Sequence, residues 1–143
     1  MAVPQTNLIN ASICVCEAVL VEKDTELHSA IRIMDTLRIA RAATTAHFWV
    51  LTSLHCNPGD IRQHVITIKM VGNIGGNWES VVGTGPFTFS YGYKLDPLGP
   101  GAFTLRTEFN LDLTVLPTLG LFYVQAIVDE EMVAQIPFRL RRH

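Results

Sequence analysis

Charge is scarce in this sequence, and so is cysteine. Charged residues make up 17% of the chain, against roughly 25% in an average soluble domain. The net charge is only −2, with an isoelectric point near 6.2. So weak a balance argues against broad electrostatic attraction to phosphate backbones or anionic lipid, and no nucleic-acid or membrane partner is expected. Three cysteines, Cys14, Cys16 and Cys56, form an odd and sparse set, which excludes the dense, even framework of a secreted disulfide scaffold. The opening Met1-Ala2-Val3-Pro4 has neither a basic nor a long apolar stretch of the kind a signal peptide carries. Nowhere do the roughly 18 uncharged apolar residues of a membrane-spanning helix run together. A cytoplasmic location is expected, with a leaderless export route left open.

Apolar residues, by contrast, are plentiful at 48%, and their spacing carries most of the information. From Phe103 to Val115 the residues Phe103, Leu105, Phe109, Leu111, Leu113 and Val115 alternate with polar ones, interrupted only by Thr107. Side chains two apart on a strand share a face, so this period predicts one dry and one wet face. Phe87, Phe89, Tyr91, Tyr93 and Leu95 alternate likewise, and Asp96-Pro97-Leu98-Gly99-Pro100-Gly101 between the two runs predicts an antiparallel hairpin with a six-residue loop. Leu121–Val128 and Met132–Leu140 predict a second hairpin about the acidic tip Asp129-Glu130-Glu131, with Pro137 marking an edge or a bulge.

The first half reads similarly. Ile13–Val21 is nearly continuous in apolar residues, as for a strand covered on both faces. Residues 27–39 predict a strand with a bulge, and a short helix or turn near 36–45 stays open. Strands are expected at Phe48–Cys56 and Ile61–Val71, with a turn at Asn57-Pro58-Gly59-Asp60 between them. A flexible loop over Gly72–Asn77 and a short strand at Trp78–Thr84 complete the reading. With no linker or repeat, the expectation is one all-β domain over residues 1–143: an antiparallel β-sandwich of seven to nine strands, immunoglobulin-like or jelly-roll-like.

Ala18-Val19-Leu20-Val21-Glu22-Lys23-Asp24, continuing to Ile33-Met34-Asp35, resembles the start of a family of small bacterial β-sandwich proteins of unknown function. The closing Gly120–Asp129 run followed by Val133–Phe138 is similar to that family's final hairpin, which recurs in immunoglobulin-like domains. The resemblance covers the two ends of the chain and implies a sandwich. It departs from immunoglobulin domains in lacking the Cys–Trp–Cys core, and it implies no activity.

Candidate chemistry is thin. Cys14 and Cys16 could share a strand face, but no second pair completes a zinc site, and buried thiols are the expectation. His55, Asp60 and His64, with His47 and Cys56 nearby in sequence, are weak metal candidates that a hairpin at residues 57–60 would bring together. No Gly-x-Ser-x-Gly elbow is present, and Cys56 with His64 lacks a visible orienting group. Glu130 and Glu131 at a hairpin tip are solvated, and Gly72–Gly76 precedes a strand where a phosphate loop needs a helix. Neither catalysis nor a cofactor is therefore expected. Arg139, Arg141, Arg142 and His143 read as a solvated tail. The low charge and apolar excess favour a non-catalytic structural or protein-interaction module, self-associating as a homo-oligomer or docking a protein partner. The alternative is a carbohydrate-like ligand stacked on Trp78, Tyr91 and Tyr93.

Overall fold

The computed structural model describes residues 8–25, 27–57, 59–92, 101–116 and 118–143 of the chain. Among these residues it is a sandwich of nine strands in two sheets: β1 (Leu8–Val21), β2 (His28–Ile33), β3 (Thr36–Ile39), β4 (Thr45–Cys56), β5 (His64–Ile74), β6 (Asn77–Phe89), β7 (Gly101–Asp112), β8 (Leu121–Val128) and β9 (Glu131–Arg142). One sheet runs β2-β1-β4-β7 and the other β3-β9-β8-β5-β6. All pairings are antiparallel except β3 with β9.

The two-residue period places the core. On β4 every even position from Ala46 to Cys56 is buried, and on β8 Phe122, Val124, Ala126 and Val128 are. Phe48, fully buried on β4, touches Phe109 of its own sheet and Phe138 of the other, with ring centroids 5.5 and 5.0 Å apart. Each such ring contributes about 1.5–3 kcal/mol by leaving water.

Several expected boundaries are corrected. β1 is not covered on both faces: past the end of its pairing with β4, Leu20 and Val21 are exposed. Residues 27–39 form no helix and no single bulged strand. The chain breaks at Met34-Asp35, so β2 joins one sheet and β3 the other. β5 starts and ends three residues later than expected and β6 is longer, because Gly75 and Gly76 adopt φ of +60° and +91° and close a tight two-residue turn in place of the expected loop. β7 ends at Asp112, whose carboxylate accepts from the Thr114 amide at 2.9 Å and winds Leu113–Val115 into a 3-10 turn, leaving Val115 exposed.

Two expected hairpins are in fact crossings between sheets. Phe87–Phe89 belongs to β6 and residues 101–112 to β7 in the opposite sheet; among the described residues an isolated Gly92–Ala102 bridge and the stacked rings of Phe89 and Phe103, 4.1 Å apart, join the two segments. Residues 93–95 of the first run and residues 96–100 of the turn lie outside the described residues. Likewise β4 and β5 lie in different sheets. The closing hairpin does form, with Asp129 and Glu130 at φ of 50° and 68°. Pro137 sits on β9 just before the first residue that pairs with β3, where its missing N–H leaves no ladder bond unmade.

Candidate functional site

The outer face of the five-stranded sheet collects the chain's scattered positive charge. Arg139 and Arg141 alternate on β9 with buried Phe138 and Leu140, so both point outward. The parallel pairing sets Arg38 of β3 directly beside Arg141. Arg41 follows in the next turn. That turn is held by Arg142, whose Nη1 donates to the carbonyls of Ala40, Arg41 and Ala43 at 3.2, 3.1 and 3.0 Å. These are five of the eleven Lys and Arg residues, drawn from both ends of the sequence. Arg38, Arg41, Arg139 and Arg141 take part in no ion pair among the described residues.

The same face carries rings. Trp78 on β6 is 52% exposed and meets Tyr123 of β8 edge-on, with centroids 5.3 Å apart, reaching across β5. Leu121 pairs with Arg139, Gly72 with Phe122 and Asn73 with Trp78, so Arg139, Leu121, Asn73 and Trp78 form a row across the sheet. Lys69 and the hydrogen-bonded Gln125–Gln135 pair extend the face away from that row. Among the described residues, no Asp or Glu holds an outward position on β3, β9, β8 or β5. The flanking carboxylates are Asp35, whose backbone carbonyl accepts from the Arg139 amide, the tip Asp129–Glu131, and Glu79 beside Trp78 on the edge strand β6. Beside Arg141 and Arg142, a shallow cleft of about 650 Å³ is lined by Leu113, Leu116, Leu119 and Leu140.

The second polar constellation is buried. His64, at the start of β5, is 2% exposed. Its Nδ1 lies 2.6 Å from Asp129 Oδ2, and its Nε2 lies 3.1 Å from both Asp60 oxygens. Asp60 also accepts from the Arg62 guanidinium at 3.1 Å. Burial by itself would raise the Asp60 carboxyl, but the hydrogen bonds from Arg62 and His64 outweigh it and hold the carboxyl below its usual range. Asp129 closes the clasp by accepting from the Val65 amide at 3.0 Å. Both ring nitrogens are thus occupied, and Phe89 and Tyr91 pack against the ring at 5.5 and 5.2 Å. The arrangement ties the β8–β9 turn to the start of β5 and offers neither an open base nor a free lone pair for a metal.

The structure separates the residues singled out in the sequence. Asp60 and His64 meet, whereas His55 lies on β4 in the opposite sheet, paired with Asn10 and Ala102, so the three weak metal candidates do not assemble. His47 instead bonds Glu108 at 2.7 Å. Trp78 is exposed on the sheet, Tyr91 is buried beside His64, and Tyr93 lies outside the described residues. Cys14 and Cys16 do face the same way. Burial pushes both thiols up, Cys16 to about 11, which keeps them protonated and poor ligands at neutral pH. Sequence reasoning missed the arginine cluster, although the alternation of Arg139 and Arg141 with Phe138 and Leu140 is the signal of cations on one strand face.

No family model and no curated protein matches the chain. Among solved structures it is similar to the Pseudomonas fluorescens alkylpurine DNA glycosylase AlkC bound to DNA containing an abasic site analog. The TM-score is 0.50 at 12% identity, over 90% of this chain but only 30% of that one. The likeness establishes a shared sandwich fold, and the chain spans less than a third of its neighbour's length. That this neighbour is a DNA-bound glycosylase overturns three expectations. These are the self-associating structural or protein-interaction module, its carbohydrate-binding alternative, and the exclusion of nucleic acid as a partner. The physical reason is that net charge averages over a surface, whereas binding depends on where the charges sit. Among the described residues no helix is long and apolar enough to cross a membrane.

Proposed function

We propose that this chain is a DNA-binding β-sandwich that holds phosphates on the outer face of its five-stranded sheet. The observation that carries the reading is the arginine cluster of Arg38, Arg139 and Arg141, with Arg41 beside it, on a face where no described Asp or Glu holds an outward position on β3, β9, β8 or β5. Guanidinium groups that make no ion pair among the described residues are available to phosphate oxygens, which they bind bidentately. The DNA-bound state of the glycosylase that shares the fold supports the same direction. In this reading the chain binds without cleaving, because the buried His64–Asp60–Asp129 clasp is closed to substrate. A cytoplasmic location, supported by three free cysteines, belongs to this reading.

The test is fluorescence anisotropy with labelled DNA across a salt series. The full chain binds with a log–log salt slope set by the phosphates it neutralises, and Arg139→Ala or Arg141→Ala reduces that slope by about 1 each. Failure to bind DNA at low salt, or slopes unchanged in the double variant, overturns the proposal.

A further inference from the structure

We infer that the strand this face takes is single-stranded, with at least one base stacked on Trp78; the inference rests on the DNA-binding reading above. The shape of the surface is the first argument. The only helix among the described residues is a three-residue 3-10 turn, so nothing here enters a major groove as a recognition helix does. A five-stranded face at about 4.8 Å per strand is roughly 20 Å wide, and the major groove admits only about 12 Å. On duplex DNA this face reaches phosphates and no base edges. A single strand has no such restriction, because its bases splay out and lie flat on exposed rings.

Trp78 supplies that ring. An indole left 52% exposed on a sheet surface is costly to keep in water. Tyr123 meets it at an interplanar angle of 63°, and among the described residues no ring stacks face to face on the indole. The row Arg139–Leu121–Asn73–Trp78 runs perpendicular to the strands. Three strand spacings, about 14 Å, separate its ends. A chain laid along it sets phosphates against Arg139, Arg141 and Arg38 at one end and bases over Trp78 at the other. Leu121 and Asn73 between them carry no charge to repel it.

The experiment uses the full chain with Trp49→Phe, which makes Trp78 the sole tryptophan reporter. It is titrated with a thymidine homo-oligomer of about twelve nucleotides and with a duplex of equal length, a size within the range that single-strand sites cover. The oligomer is expected to quench Trp78 emission and to bind at least as tightly as the duplex. Read by anisotropy of end-labelled DNA, Trp78→Ala is expected to weaken single-strand binding about tenfold and duplex binding less than twofold, consistent with the known worth of base–aromatic stacking. Trp78→Phe, which keeps a stacking ring, retains most of the affinity, and thermal melts confirm folding of each variant. Equal losses for both DNAs, or no loss for either while Arg139→Ala weakens both, overturns single-strand stacking and leaves DNA binding standing. No binding to either DNA overturns both.

Discussion

At the scale of single residues, Asp60 carries the clearest electrostatic consequence. Its folded-state carboxyl lies below the ordinary value of 3.8, because the bonds from Arg62 and His64 outweigh the cost of burial. A depressed carboxylate contributes stability that is fully present above its unfolded-state value and is lost as pH falls through the folded one. Melting temperature should therefore decline as pH drops below about 4, and Asp60→Asn should be less stable at neutral pH with a flatter acid limb. Thermal melts from pH 7 to pH 2 check this; parallel curves for the two proteins would refute it. The partners of His64 were hidden in the sequence. Asp60 is four positions away, but Asp129 comes from a turn that only the sheet brings near.

At the scale of elements, the pairing of β5 with β8 depends at one point on a missing side chain, since the Phe122 ring lies over Gly72. A Cβ on Gly72 would sit 2.6 Å from Cδ1 and Cε1 of Phe122, a ring that is only 4% exposed and walled in by the core. Gly72→Ala should cost about 1–3 kcal/mol of stability through overpacking, read as a lower urea midpoint at an unchanged slope. A neutral result would mean that the ring has room to turn aside. Element identity was largely legible in the sequence, since the alternation at Phe122–Val128, Ile66–Met70 and Phe103–Leu111 gives strand and buried face together. Pairing was not. A period of two says which way a side chain points and nothing about which strand lies alongside. Turn residues at 57–60 and 96–101 fit a crossing between sheets as well as a hairpin, which is why β4–β5 and β6–β7 read as hairpins.

At the scale of the molecule, two layers are joined through a few large rings, and Phe48, fully buried, touches rings of both. Phe48→Ala should cost about 3–5 kcal/mol, while the same change at Phe87, which is 43% exposed at the sheet edge, should cost far less. Chemical denaturation of the two variants gives the comparison, and equal losses would contradict this account of the core. The candidate site was the least legible feature. Arg38 and Arg141 stand at opposite ends of the sequence, and only the parallel β3–β9 pairing makes them neighbours. A formal charge of −2 concealed them further.

Arg142 and His143 finally bear on how the protein is handled. The guanidinium of Arg142 grips the 40–43 turn, and the amide of His143 donates to the Ile39 carbonyl at 3.1 Å. Anything joined after residue 143 therefore emerges against the arginine edge. A purification handle fused there would crowd Arg38 and Arg41, and an acidic one would titrate the very cations under study. Binding measurements belong on material carrying its affinity label at the opposite terminus, or with the label cleaved away.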